Sequence, residues 1–473
     1  MGRRRSSSPS LFDETNALRR LRMKLFPQDD DVVLYDTGFG DDVLERKSIS
    51  NQLSELVERI ENPVVLALDD KWGSGKTFFL KRWVAAHTAE NNGTATTIYF
   101  DAFENDYLTD PLVSIITAVS VRLPDEQAAT VKKWKTVATK LAKPALGIAL
   151  TVATFGAKQH LDEIGDVIAD AASSEAKDAA QDLWDVEKDR KEAVCDFRNL
   201  LSELTQKSAA PIVIVIDELD RCRPDYALTV LEVIKHFFSV PKVHFILGVN
   251  GKALENSVKA RYGAEIDAEG YLRKFINVSF SLPRAIGGRS EISVIAKYAS
   301  KLISDMELPQ RVSGRCVSLL KCVVNSRDLS LRDVGKVLSK VALVPDEVHE
   351  NNFLDGYIDI LCALIVTSVV DPRLHAKLIS GDAETSELRE YLTAPKEKTI
   401  ERIDDEYNSA YDHEVSFWLA TIIFCCGREE IENVENLPSW SGRLGDRFDR
   451  FGVRDRKSIA PKIQKDWVDL FRI

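Results

Sequence analysis

Residues 64–77, which read VVLALDDKWGSGKT, carry the strongest structural signal in the chain. The stretch starts with a continuous apolar run, Val64–Leu68, which is typical of a strand buried on both faces of a parallel sheet. Two glycines follow in the segment Asp70–Gly75 and predict a tight turn, and the residues after the turn predict a helix. This order predicts an α/β fold in which the loop lies at the carboxyl edge of the sheet.

The glycine-rich turn matches the P-loop pattern G-x-x-x-x-G-K-[ST] at every defined position except the first, where Asp70 stands for glycine. Backbone N–H groups of such a loop form a nest for anions, and the following helix adds its positive end. Lys76 is expected to reach the β- and γ-phosphates and Thr77 to ligate Mg²⁺. Because Asp70 replaces the first glycine, the sequence does not decide the backbone conformation at the start of the loop. The predicted nucleotide-binding residues are Trp72, Gly73, Ser74, Gly75, Lys76 and Thr77.

A second apolar run, Ile212–Ile216, ends in two acidic residues and supplies the partner that a P-loop requires. Asp217 is predicted to hold Mg²⁺ together with Thr77, and Glu218 to act as the general base that activates water. The alternative is that this acidic pair caps a helix. Asn250 closes a later strand and is predicted either to orient the attacking water or to cap the helix that follows.

The strand signals all lie in the first two thirds of the chain. Five strands are predicted, at Val64–Leu68, Thr96–Phe103, Pro211–Ile216, Val243–Val249 and Phe275–Leu282. Residues 11–60 have a polar, largely helical pattern. Beyond about Arg289 the strand signals nearly vanish, so a helical region is expected there.

These patterns divide the chain into three regions. Residues 1–35 are a basic, serine-rich arm with a helix, and residues 36–285 are the nucleotide-binding domain. That domain contains an alanine-rich helical insertion at about 124–204. Residues 286–473 are an α-helical C-terminal domain.

The combined motifs resemble those of the KAP family of P-loop NTPases over about residues 36–340. The resemblance is carried by the loop WGSGKT and by the acidic segment DELDRCRP, and further agreement comes from three shorter stretches. These segments are Trp72–Thr77, Asp217–Pro224, Phe100–Phe103, Leu231–Lys235, and Tyr271–Lys274 with Leu282-Pro283.

The resemblance implies the additional-strand (ASCE-type) form of the P-loop fold, with a mainly parallel, five-stranded sheet in which a further strand separates the P-loop strand from the Asp217 strand. It implies ATP as the nucleotide and a role in bacterial anti-phage defence, often with partner proteins, which are expected to be further copies of the chain or proteins encoded in the same operon. Asn250 stands where aspartate is usual in the family. This departure and Asp70 are expected to affect the rate of ATP turnover more than the binding of ATP.

Composition narrows the classes of function that remain possible. The formal net charge of −11 argues against a dedicated duplex-binding protein, although a local basic patch that contacts nucleic acid remains an alternative. Seven cysteines form no CxxC pair, and the scattered histidines form no zinc pattern, so a reducing cytoplasm and no metal other than Mg²⁺ are expected.

One segment bears on membrane contact. Members of the family often carry spans within the insertion, and the only candidate here is Pro144–Ala157. As a helix it reaches ~21 Å, against ~30 Å of hydrocarbon in a bilayer. We expect a buried helix, with peripheral membrane contact and a span as the alternatives.

Positive charge is also needed near the γ-phosphate, and the candidates are Arg221, Arg273, Lys274 and Arg332. The alternative for any one of them is an ordinary solvated or salt-bridged side chain.

These patterns together predict an Mg²⁺-dependent ATPase that couples nucleotide state to assembly or signalling. The first alternative is a nucleotide-gated scaffold with little turnover. A nucleic-acid motor is the weaker one.

Overall fold

The computed structural model describes residues 23–27, 32–40, 42–108, 110–122, 179–208, 210–237, 239–283, 291–324, 326–349, 353–392, 405–434, 438–448 and 455–469. Two compact units make up the chain. The sheet unit is Asp29–Gly287, and the helical unit is Met1–Gln28 with Gly288–Ile473.

The sheet unit is built on five parallel strands in the order β2-β3-β4-β1-β5. The strands are β1 (Val65–Asp69), β2 (Thr96–Asp101), β3 (Ile212–Asp217), β4 (Val243–Val249) and β5 (Val278–Phe280). The P-loop strand β1 and the Asp217 strand β3 are separated by β4, as the additional-strand form requires. The predicted fold is therefore confirmed, and every strand pair is parallel.

Helices cover both faces of this sheet. They are α1 (Lys47–Arg59), α2 (Lys76–Ala89), α3 (Pro111–Arg122), α4 (Ala179–Ser208), α5 (Pro224–Lys235), α6 (Gly251–Tyr262) and α7 (Ala268–Leu272). Alternate side chains of β3 show why both faces are apolar, because Val213 and Val215 pack on the side of α1 and α2. Ile214 and Ile216 pack on the other side, with α3, α4 and α5. Burial on both faces explains the unbroken apolar runs in the sequence.

The helical unit surrounds α12, whose residues are buried on every side along much of its length. Its helices are α8 (Glu291–Asp305), α9 (Gln310–Val323), α10 (Leu331–Ala342), α11 (Asp346–His349), α12 (Asp355–Val370), α13 (Pro372–Ser380), α14 (Thr385–Leu392), α15 (Asp405–Cys426), α16 (Pro438–Phe448) and α17 (Ile459–Ile463). In the described part of this unit the only β pairing is an isolated bridge between Ala383 and Gly427. The predicted helical C-terminal region is confirmed there.

One prediction about local structure is wrong. Residues 32–46 were expected to be helical, but where they are described they form turns. The Val33 carbonyl accepts from the backbone of Asp36 and Thr37, and Tyr35 and Glu45 adopt left-handed backbone angles of 70° and 51°. The Val33 N–H donates to Thr37 Oγ1 at 3.0 Å, and a local side chain–backbone hydrogen bond of this kind competes with a helix.

Three other sequence predictions concern residues that lie wholly or partly outside the described ranges. Residues 1–22 of the predicted arm 1–35 and the membrane candidate, Pro144–Ala157, lie there. The predicted insertion at about 124–204 lies there up to residue 178, and its described part belongs to α4. Within the described ranges, no helix is both long enough and apolar enough to cross a membrane.

Candidate nucleotide-binding site

The loop between β1 and α2 has the backbone shape of an anion nest. Gly73 and Gly75 have φ of 80° and 88°, a region that side chains disfavour, so glycine is required at both positions. Helix α2 starts directly after Gly75, at Lys76. The first N–H groups of a helix have no carbonyl partner within it, so the amino end of α2 offers donors and a positive dipole to an anion at this loop.

Lys76 is folded back onto the loop that carries it. Its Nζ donates to the backbone carbonyls of Asp70 at 2.6 Å and Lys71 at 3.0 Å. Burial lowers the pKa of Lys76, and nearby carboxylates, led by Asp220, act in the opposite direction. The structure therefore places a buried ammonium group among aspartates, at the base of the loop.

Asp70, the departure from the P-loop pattern, fits the loop without strain. Its N–H donates to the Val249 carbonyl at 3.1 Å, which continues the pairing of β1 with β4 by one residue. Its Oδ1 accepts from the Lys71 N–H at 2.8 Å, and its φ is not positive. Because glycine's freedom is used at Gly73 and Gly75, an aspartate at 70 does not prevent the loop from forming.

Asp217 ends β3 and is almost fully buried, with an exposed fraction of 1%. Its Oδ1 accepts from the Glu218 N–H at 2.9 Å, and its Oδ2 accepts from the Tyr99 hydroxyl at 2.9 Å. Burial raises the pKa of Asp217 to about 6. Gly248 on β4 leaves room for this side chain, since a Cβ there would lie 2.1 Å from Asp217 Oδ1.

Glu218, the next residue, adopts a left-handed backbone with φ 58° and ψ 25°. Such a conformation costs a non-glycine residue about 1–3 kcal/mol and is typical of functional sites. Its Oε1 accepts from the Thr77 hydroxyl at 3.3 Å, and its Oε2 accepts from the Arg221 guanidinium at 2.9 Å. The two nucleotide motifs therefore meet directly, through Thr77 and Glu218.

The donor set at this meeting point fits Mg²⁺, a hard cation that prefers oxygen ligands and keeps several positions for water and phosphate. Thr77 and Asp217 offer a hydroxyl and a carboxylate, and the Thr77 side chain also hydrogen-bonds Asp217. Ser74 Oγ is buried without a hydrogen-bond partner in the described part of the chain. Within that same part, no group of three or more His, Cys, Asp or Glu side chains is arranged to hold a metal alone. Phosphate oxygens would have to complete the coordination.

The structure shows two contacts of the loop that the sequence did not predict. Trp72 is half exposed, and its indole N–H donates to Asp220 Oδ2 at 2.5 Å. The Arg46 guanidinium donates to the carbonyls of Ser74 at 2.7 Å and Gly75 at 3.1 Å. Arg46 holds the loop from the turn before α1, and the sequence contains no local pattern that marks it.

Asn250 lies beside the site as the N-cap of α6, where its Oδ1 accepts from the Ala253 N–H at 3.3 Å. At the same turn, Asp69 Oδ1 accepts from the Gly251 N–H at 2.7 Å. The structure thus shows the capping role for Asn250, one of the two alternatives that the sequence left open.

The candidate cations are placed differently from one another. Arg221 pairs with Glu218, within the site. Arg273 is exposed and pairs with Glu269 on α7, and Lys274 lies over the Tyr271 ring. Arg332 is an exposed residue of α10, in the helical unit.

The strand order and the loop between β1 and α2 define a P-loop NTPase domain of the additional-strand class. A family model described as the KAP family P-loop domain matches residues 46–347, which is more than half of the chain. The chain belongs to the KAP family, and the resemblance found in the sequence is confirmed.

Solved structures of origin recognition proteins match the chain at low sequence identity and with TM-scores below 0.5. The Aeropyrum pernix ORC2 protein, solved as ADPNP–ADP complexes, is 11% identical, covers 88% of this chain and 88% of its own, and has a TM-score of 0.35. Drosophila ORC bound to GC-rich DNA and Cdc6 is 10% identical, covers 80% of this chain and 50% of its own, and has a TM-score of 0.30. The Aeropyrum pernix ORC1 protein in complex with DNA is 13% identical, with coverages of 80% and 86% and a TM-score of 0.29. No curated protein matches the chain.

Proposed function

We propose that this KAP-family protein binds ATP with Mg²⁺ and hydrolyses it. The observation that carries the proposal is the meeting of Lys76, Thr77, Asp217 and Glu218 at the carboxyl edge of one parallel sheet. These residues come from two motifs far apart in sequence, and nucleotide chemistry accounts for each residue type. Neither a helix cap nor a structural ion pair explains why a buried lysine, a threonine and two acidic residues lie together.

Each residue has a defined task in this proposal. Lys76 and the loop N–H groups hold the phosphates, and Trp72, Gly73, Ser74 and Gly75 shape their cradle. Thr77 and Asp217 would hold Mg²⁺, which when bound neutralises charge on the phosphate oxygens. Glu218 accepts the proton of the attacking water as general base. Asn250 keeps its Oδ1 on the Ala253 N–H and would orient that water through its amide N–H groups, so we place it at the edge of the mechanism.

Among the cation candidates we favour Arg221 for the γ-phosphate, because it is the one that contacts a catalytic side chain. The same contact supports the alternative function. Both carboxylate oxygens of Glu218 accept hydrogen bonds from protein groups, Thr77 and Arg221, and a base held in this way favours a nucleotide-gated scaffold with negligible turnover.

The biological setting that we propose rests on family membership. We place the protein in bacterial anti-phage defence, acting with further copies of itself or with partners encoded in the same operon. The cysteines of the chain are unpaired and most are buried, which fits a reducing cytoplasm.

A phosphate-release assay tests turnover. The purified protein is mixed with ATP and Mg²⁺, alone and with DNA, RNA or liposomes, and compared with its Glu218→Gln variant. We expect steady hydrolysis by the wild type, and in the variant unchanged ATP affinity with hydrolysis slowed by ~100-fold or more, because the amide hydrogen-bonds water without accepting its proton. Equal rates in the two proteins would remove Glu218 from the role of base. Binding without hydrolysis under every condition would favour the scaffold, and hydrolysis only with DNA or RNA would favour the motor.

A further inference from the structure

Tyr99 contacts the proposed metal site from the neighbouring strand. It lies on β2 opposite Val215 of β3, two residues before Asp217, and side chains two residues apart share one face of a strand. The phenol therefore reaches along that face, and its hydroxyl donates to Asp217 Oδ2 at 2.9 Å. No feature of the nucleotide motifs assigns a task to this residue.

The ring of Tyr99 is held in place from several directions. Because β2 is an edge strand, the outward N–H of Tyr99 needs a partner, and it donates to the Tyr35 hydroxyl at 2.8 Å. The Arg122 guanidinium lies 3.9 Å from the centroid of the Tyr35 ring, and Lys81 Nζ, from α2, lies 5.5 Å from the centroid of the Tyr99 ring. A side chain packed in this way presents its hydroxyl in one direction.

Besides this hydroxyl, the Asp217 carboxylate has hydrogen bonds with the Glu218 N–H and the Thr77 side chain. Asp217 is 1% exposed, so water does not orient it. The Glu218 N–H fixes one oxygen, and Tyr99 fixes the other, which sets the plane of the carboxylate. Partners of this kind commonly orient metal ligands and raise metal affinity.

We infer that Tyr99 is a positioning residue for Mg²⁺ in the nucleotide site, acting by fixing the Asp217 carboxylate in the orientation that faces Thr77. This inference rests on the proposed function, since it names how one proposed ligand is held. Mg²⁺ binding and phosphate binding are thereby separated, because Tyr99 acts on the metal ligand Asp217 and leaves phosphate binding by Lys76 and the loop unchanged.

The test compares wild type and Tyr99→Phe by titrating a fluorescent ATP analogue, first in EDTA and then at fixed nucleotide with increasing Mg²⁺. In EDTA we expect equal nucleotide affinities. In the second titration the half-saturating Mg²⁺ concentration should rise by ~10-fold or more in the variant. Unchanged Mg²⁺ dependence would overturn the inference.

Tyr35→Phe is the matched control. It removes a hydroxyl from the same edge of the sheet, one that contacts the backbone of Tyr99 and not Asp217. Its Mg²⁺ dependence should match the wild type, and an equal loss in both variants would show that loosening of β2, rather than the Tyr99 hydroxyl, is responsible. If the wild type binds no nucleotide, or binds it equally after Lys76→Ala, the proposed function itself fails, a result distinct from a failure of Tyr99 alone.

Discussion

Among the described residues, the sheet unit and the helical unit each contain one aspartate that is 1% exposed or less, and they satisfy its charge in different ways. Asp359 of α12 is 0% exposed and lies between two arginines, with Arg447 Nε and Arg315 Nε each 3.0 Å from one of its oxygens. Asp217 of β3 is 1% exposed and accepts from the neutral Tyr99 hydroxyl and Glu218 N–H, and it shares the single proton of the Thr77 hydroxyl with Glu218.

The difference separates a structural carboxylate from a functional one. A buried charge that the protein neutralises with its own arginines completes a packed core, and removing one partner is costly. A buried carboxylate whose hydrogen bonds come only from neutral donors has a negative charge that is available to a bound cation. Perturbed electrostatics of this kind are typical of functional sites. Four predictions follow from this comparison, given in order of decreasing effect.

The largest effect is expected for Lys76→Ala, which should abolish ATP binding. The variant removes the buried ammonium that the loop carries at its base, and no other side-chain cation of the motif is placed for this role. Calorimetry should show at least a ~100-fold loss of affinity. Lys81→Ala, a change on the same helix, is the control and should bind ATP nearly as the wild type does. An unchanged affinity in Lys76→Ala would remove the P-loop assignment.

Asp359→Asn should destabilise the helical unit by about 1.5–3 kcal/mol, because Arg315 and Arg447, which are 25% and 29% exposed, would lose charge-assisted hydrogen bonds to their shared carboxylate. Urea denaturation followed by circular dichroism measures this change. Asp355→Asn alters a neighbour that is about half exposed, and it should cost less than about 1 kcal/mol. Similar losses in both variants would contradict the distinction between buried and exposed pairs.

Burial raises the pKa of both aspartates, but at Asp359 two arginines oppose the shift and would lose their partner on substitution. The effect of the same substitution on stability should therefore have the opposite sign at position 217. The raised pKa of Asp217, about 6 against an ordinary 3.8, means that ionisation costs the folded state free energy above pH 6. Asp217→Asn should therefore stabilise the protein by about 2–3 kcal/mol at pH 7.5, at 1.36 kcal/mol per pH unit. The gain should shrink as the pH falls through 6 towards 4, where the wild-type carboxyl is protonated.

Urea denaturation of both proteins at pH 7.5 and pH 4.5, without nucleotide and with EDTA, checks this sign. A variant less stable than the wild type at pH 7.5 would show that Asp217 is satisfied by its own surroundings. The distinction between the two buried aspartates would then be lost.

The smallest effect on stability is expected for Arg221→Ala. The Arg221 side chain is 34% exposed, and an ion pair in such a position contributes less than about 1 kcal/mol. Arg273→Ala, which removes a more exposed pair with Glu269, should behave alike in denaturation. Only the Arg221 variant should alter the rate of phosphate release. A large loss of stability in Arg221→Ala would place this arginine with Arg447 as a structural residue.

The sequence allowed the five strands and the P-loop to be predicted because both depend on local patterns. Continuous apolar runs mark strands buried on two faces, and their turn residues mark where each strand ends. The strand bounds were less accurate: the last strand was predicted at Phe275–Leu282, and β5 is Val278–Phe280. The segment before α1 was wrongly predicted as helix. Its turns depend on particular side-chain contacts, such as the Asp42 carboxylate accepting from the N–H groups of Leu44 and Arg46, which a helical pattern does not reveal.

The part of the site that escaped prediction depends on long-range contacts. Arg46 and Tyr99 belong to no short motif, and their tasks emerge only when the turn before α1 and the edge strand β2 pack beside the two nucleotide motifs. A single sequence carries no signal for such pairings. Asp70 is the converse case, since it breaks the motif yet fits the fold because the left-handed turns are supplied by Gly73 and Gly75.

The position of β4 between β1 and β3 also governs how the protein is made. Strands β1 and β3 do not pair with each other, so a chain that leaves the ribosome can present Lys76 and even Asp217 before any site exists. Only when Val243–Val249 enters the gap does the sheet bring the motifs into register. The segment that separates β2 from β3 carries a small penalty for its length, about 0.6 kcal/mol for each doubling of a flexible loop. A longer segment between β2 and β3 would therefore cost the protein little stability and would leave the strand pairs that form the nucleotide site unchanged.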